Sequence, residues 1–103
     1  MPVIKFSGTT QKQINEYMSK VDEICELIVA KKENIFFINQ DVDVTQGNGD
    51  YAVIINVEWM SRPDKEEIFA NHLKSFFGVE GKTVGVVFYE LNSKFYIDGK
   101  RIG

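Results

Sequence analysis

The residues able to do chemistry in this chain are few and far apart. Pro2 follows the initiator in Met1-Pro2-Val3-Ile4-Lys5-Phe6, a run rich in strand formers. Proline has no amide hydrogen and suits the first position of a strand. With the initiator removed, Pro2 becomes a secondary amine at the head of the chain. A free α-amino group titrates at about 7.7–8.0, where a general base is most useful. The structural alternative is that Pro2 merely begins an edge strand. Arg62 is the second candidate. It follows Trp59-Met60-Ser61, where a strand hands over to a helix, and small-molecule sites are often built at such junctions. An arginine there can hold a carboxylate through two parallel hydrogen bonds, and a cation near Pro2 would lower the pKa of its amine. Against this, Arg62 also fits a solvated helix start and Trp59 a core position. Tyr96 belongs to the same group of interest, on the closing hairpin.

Other reactive residues lack the company that chemistry needs. Asp41 and Asp43 alternate with apolar residues and so share one side of a strand, but two carboxylates with no nearby histidine make a poor metal site. His72, the single histidine, reads as a helix-edge residue, and Cys25, the single cysteine, lies on an apolar helical stripe and reads as core. There is no Cys-x-x-Cys pair, no glycine-rich phosphate loop and no nucleophile elbow. No metal and no cofactor are expected.

Composition narrows the classes further. A chain of 103 residues, 44% hydrophobic and 26% charged, matches one ordinary globular domain, 1–103. The net charge of −3 argues against an extended nucleic-acid or anionic-membrane surface. No apolar run approaches the roughly 20 residues of a membrane span, and no charged-then-apolar leader precedes the first strand. The lone cysteine suits a reducing compartment, so the expected location is cytoplasmic.

The elements that must position these residues come in a repeated order. After the first strand, Thr9 or Thr10 can cap a helix whose apolar stripe is Ile14, Tyr17, Met18, Val21, Ile24, Cys25 and Ile28. This spacing predicts one helix of about five turns, with Lys31 and Lys32 complementing the negative end of its dipole. Ile35 to Val44 reads as a strand and Gln46 to Asp50 as a turn. The pattern then begins again. Tyr51 to Trp59 is a strand with Val53, Ile55, Val57 and Trp59 on one face. Ser61 can cap a second helix with Pro63 in its first turn and Gly78 as its stop. Thr83 to Leu91 is a fourth strand, and Asp98-Gly99 predicts a tight hairpin between Phe95-Tyr96-Ile97 and Lys100-Arg101-Ile102.

The expected fold is therefore α+β. Two β-α-β repeats, about 1–50 and 51–103, build a four-stranded mixed sheet with two helices on one face, plus a C-terminal hairpin. The other sheet face is left bare. Val, Phe and Trp side chains there would need covering, which implies association.

Three segments carry a family resemblance: Pro2-Val3-Ile4-Lys5-Phe6, Val57-Glu58-Trp59-Met60-Ser61-Arg62, and Val84-Gly85-Val86-Val87-Phe88 running into Phe95-Tyr96-Ile97-Asp98-Gly99. With the opening Met1-Pro2 and the double β-α-β order, the chain resembles the tautomerase superfamily that includes macrophage migration inhibitory factor. Within it, the resemblance is strongest to a family of small uncharacterised bacterial proteins, a domain of unknown function. The resemblance implies a homotrimer whose sheets line a central barrel, with a pocket at the subunit interface around the N-terminal proline. It implies that Pro2 is a general base moving a proton between carbon and oxygen of an enol or 2-keto acid, with Arg62 holding the carboxylate. It further implies Tyr96 as hydrogen-bond donor to the enolate oxygen, Trp59 as a pocket wall and Lys5 as a second cation.

Two functions follow from different classes. One is a cofactor-independent tautomerase, or related lyase, acting on a small enolisable carboxylate. The other is a non-catalytic trimer that binds a small molecule or protein on the same scaffold. A ferredoxin-like or RNA-recognition domain shares the element order, but the acidic balance and a fourth strand without a Lys/Arg-Gly-aromatic run speak against RNA.

Overall fold

The computed structural model of the protein describes residues 2–91 and 94–101. Its first half runs β1 (Val3–Ser7), α1 (Gln11–Met18), α2 (Val21–Ile28) and β2 (Phe36–Asn39). Its second half runs β3 (Ala52–Trp59), α3 (Pro63–Phe77) and β4 (Thr83–Glu90), then a hairpin of β5 (Tyr96–Ile97) and β6 (Lys100–Arg101). The four long strands form one sheet in the order β2-β1-β3-β4. Pairing is parallel within each half, while β1 and β3 join the halves antiparallel, with Val3 opposite Glu58 and Ser7 opposite Ile54. The mixed sheet and the hairpin are those that the repeated order predicts. β1, however, is paired on both sides, so Pro2 does not begin an edge strand.

Alternation along the strands sorts the core from the open face. Ile4 and Phe6 of β1 and Val53, Ile55, Val57 and Trp59 of β3 are essentially without solvent exposure and pack with Ile14, Tyr17, Ile24, Ile28, Phe69, Leu73 and Phe77 of the helices. The opposite face carries Lys5, Phe36, Ile38, Ile54, Asn56, Glu58, Val87 and Tyr89, and no helix covers it among the described residues. Trp59 is thus a core residue and not part of the bare face, because its place in the alternation is that of Val57.

Local hydrogen bonds explain where the elements depart from the sequence pattern. The stripe from Ile14 to Ile28 is split between two helices, not one. Ser19 Oγ donates to the Glu16 carbonyl, Lys20 N–H donates to the Tyr17 carbonyl at 2.9 Å, and Lys20 leaves helical geometry at ψ 18°. α1 begins on a capping box: Thr10 accepts from Gln13 N–H at 3.2 Å, and the Gln13 side chain accepts from Thr10 N–H at 2.9 Å. Lys31 and Lys32 lie beyond α2, at and within a short 3₁₀ turn, and so do not complement its end as expected. β2 stops at Asn39, whose side chain accepts from Asp41 N–H at 2.9 Å while Asp41 turns to φ 53°. That turn ends the expected strand run, so Asp41 and Asp43 do not stand side by side on one. Ser61 does not cap α3. Its hydroxyl donates to Glu90 Oε1 at 2.9 Å, the cap position is Arg62, and Pro63 opens the helix. In the closing hairpin Asp98 and Gly99 take φ 52° and 78°, the pair of positive values that a two-residue I′ turn requires. Ile102 lies outside the described residues, as does Met1. Among the described residues no helix is long and apolar enough to cross a membrane.

Candidate active site

The antiparallel register of β1 and β3 decides what meets at one end of the sheet. Val3 pairs with Glu58, so Pro2 lies one step further, level with Trp59. Pro2 is buried, shares the alternation of Ile4 and Phe6, and its carbonyl accepts from Phe36 N–H at 3.0 Å. Leu91 N–H donates to the Trp59 carbonyl at 2.7 Å. At this end, therefore, β1 and β2 begin, β3 and β4 finish, α2 ends and α3 starts.

Arg62 stands at the same end and binds the finish of α2. Its Nη1 donates to the Ile28 carbonyl, and also to the Val29 carbonyl at 2.8 Å. The last carbonyls of a helix have no intrahelical partner and carry the negative end of its dipole, so a guanidinium is well placed there. Beside it opens a hollow of about 550 Å³ lined by Cys25, Glu26, Val29, Ala30, Lys31, Asn34 and Arg62. Arg62 and Lys31 supply two cations and Asn34 an amide, against the single carboxylate of Glu26. Such a set can hold a small anion. Burial, reinforced by the carboxylates of Asp22 and Glu33, raises the Cys25 thiol above its ordinary range, so it is a poor nucleophile near neutrality.

The remaining residues singled out from sequence stand apart from this hollow. Lys5 is on the open sheet face, paired with Glu58 at 2.8 Å. Trp59 is fully buried, with its ring centroid 5.8 Å from Phe69 and 5.0 Å from Phe88. Tyr96 is more than half exposed on the hairpin, whose neighbour Phe95 packs edge-on against Phe36 at 6.4 Å. Pro2 does not itself line the hollow. The structure brings Pro2, Trp59 and Arg62 to one end of the sheet, while Lys5, on the open face, and Tyr96, on the hairpin, do not line the hollow.

Sequence reasoning missed Lys31, Asn34 and the turn at Val29. The Lys31-Lys32 pair reads as a helix-end feature as long as α2 is extended through it, and only the turn at Val29 reveals the hollow. It also missed the partners of His72. Tyr17 Oη bonds His72 Nδ1 at 2.8 Å, and Glu23 accepts from His72 Nε2, joining α1, α2 and α3. The hydrogen bond from His72, followed by the histidine's charge, holds the Glu23 carboxyl below its ordinary range, while burial raises the Tyr17 phenol.

The comparisons agree with this architecture. The profile of the family described as Domain of unknown function (DUF1904) matches residues 1–101. A crystal structure of a DUF1904 domain from Sebaldella termitidis superposes with a TM-score of 0.84 at 19% identity, covering 99% of this chain and 100% of that one. Macrophage migration inhibitory factor from Oncomelania hupensis gives 0.78 at 16% identity, covering 98% and 82%. A fused 4-OT described as a symmetric trimer gives 0.67 at 18% identity, covering 96% and 94%. These likenesses show the fold. None of the curated proteins matches the chain.

Proposed function

This chain belongs to the DUF1904 family, and on that premise we propose that it is a cofactor-independent, tautomerase-like isomerase for a small enolisable carboxylate, with Pro2 as general base. The observation that carries the reading is the placement of Pro2 at the same sheet end as Arg62 and its cation-bearing hollow. The free amine of Pro2 takes a proton from the carbon next to a carbonyl and returns it to the oxygen, or the reverse. Arg62 holds the carboxylate, aided by Lys31. Tyr96 and Lys5 enter the site in this reading from neighbouring copies, since neither lines the hollow within one subunit. A homotrimer in which the bare sheet faces meet would cover Ile38, Ile54 and Val87.

The experiment has two arms. The intact mass of untagged protein should lack the initiator, and enolisation of 2-keto acids should rise with pH and level off above the amine pKa of about 7.7–8.0, lowered by nearby cations. Pro2→Ala should remove the activity. A retained initiator, or an unchanged rate in Pro2→Ala, overturns the base.

A second reading is favoured by one observation: Arg62 is already bonded to the α2 carbonyls. On this reading the chain is a trimeric binding module without proton transfer. It requires a particle three times 11.8 kDa by sedimentation equilibrium and ligand affinity unchanged in Pro2→Ala.

A further inference from the structure

α2 ends in a conformation that its sequence disfavours. Val29 has φ 56° and ψ 67°, left-handed geometry that is an outlier for a β-branched residue. The residue is 67% exposed, so burial does not hold it there. Its N–H and that of Ala30 both donate to the Cys25 carbonyl. The carbonyls on either side of the turn, Ile28 and Val29, both accept from Nη1 of Arg62. In a continuing helix successive carbonyls are spaced about 100° around the axis and all point along it, so the reversal at Val29 turns its carbonyl away from that common direction. With that reversal both carbonyls meet Nη1 of Arg62.

The consequence lies on the other edge of the guanidinium. Arginine has five donors in a rigid plane. Two carbonyls engage Nη1, and Nε and Nη2 have no protein partner among the described residues. Nε–H and one Nη2–H form the parallel fork that fits a carboxylate. The geometry points to Val29 as a positioning residue: its left-handed turn fixes Arg62 by one nitrogen and leaves the Nε/Nη2 edge preset for a carboxylate entering the hollow. A mobile arginine loses side-chain freedom when it binds a ligand, and one already fixed loses less. Strain that persists at such a site, in a residue lining it, is consistent with this use. The inference rests on the reading of the hollow as a small-carboxylate site, but not on proton transfer.

The test is an NMR titration with pyruvate as probe and methyl pyruvate as its uncharged control. Pyruvate should move the Arg62 Nε–H signal and the Val29 and Ala30 amides along one saturation curve, and methyl pyruvate should move neither. Val29→Gly, which keeps access to the left-handed turn, should bind pyruvate within about twofold of the parent. Val29→Pro, locked near φ −65°, should bind at least about tenfold more weakly, as should Arg62→Lys, which keeps the charge but loses the fork. Parent-like binding by Val29→Pro overturns the inference. So does pyruvate moving other amides of the hollow while Arg62 Nε stays still, a result that leaves the carboxylate site standing. Should Val29→Pro fail to fold, the joint titration of Arg62 and Val29 in the intact protein decides. Binding without turnover would remove the enzymatic reading and keep the positioning one. Absence of any pyruvate shift would remove both the site and this inference.

Discussion

A Cβ built on Gly8 would lie 2.2 Å from the Ala52 carbonyl oxygen, on a backbone already at φ 85°. Gly8→Ala therefore meets both a left-handed penalty of about 1–2 kcal/mol and an overpacking cost of about 1–3 kcal/mol. Gly49 has φ 93° but open space around it, so Gly49→Ala should show the backbone cost alone. Urea unfolding of the two variants separates the contributions. Trp59 allows a similar comparison. It is fully buried between Phe69 and Phe88, and its Nε1 has no hydrogen-bond partner among the described residues. Trp59→Ala should cost about 3–5 kcal/mol. Trp59→Phe should cost less than about 2 kcal/mol, because it also removes an unsatisfied donor. Such single positions are only partly legible in a sequence. The alternation Val53, Ile55, Val57, Trp59 gives the core face of β3 directly, whereas nothing in the letters of Val29 announces a left-handed residue. Its partner in the fold, Arg62, lies 33 residues away.

Elements written by local chemistry are the legible ones. Asp98-Gly99 encodes its own turn, and Thr10 with Gln13 encodes the start of α1. Elements shaped by distant partners are not. The stripe from Ile14 to Ile28 is continuous, yet the chain breaks it at Ser19-Lys20, so that α1 and α2 meet the core separately. The bond from Tyr17 to His72 spans 55 positions and ties α1 to α3, with Glu23 of α2 completing the chain. This tie has a pH signature. The folded Glu23 pKa lies below its ordinary 4.5, chiefly through the hydrogen bond from His72. Its contribution is complete above the unfolded pKa and is lost as pH falls through the lowered folded value. Thermal unfolding of the parent should therefore weaken more steeply below about pH 5 than that of Glu23→Gln, and His72→Gln should remove the difference. Cys25 gives the opposite sign. Because its thiol is raised, alkylation by iodoacetamide at pH 7.5 should be slower than that of a free cysteine, whose pKa is about 8.5, and should catch up only as the solution becomes more alkaline.

At the scale of the whole molecule, the double β-α-β order was visible as a repeat, and it fixes the parallel pairs. What it does not fix is how the halves join, because nothing local chooses between edges. The antiparallel contact of β1 with β3 is set by two apolar faces closing over the helices. That seam also orders events in time. Its partners are about fifty residues apart, a long loop to close and so a slow contact to make. During synthesis the first strand stays without its antiparallel neighbour until the third has been made. Pro2 is enclosed only when that seam and the bond to Phe36 have formed. Pro2 is therefore open to solvent on the nascent chain and becomes a buried residue only after the third strand has been made.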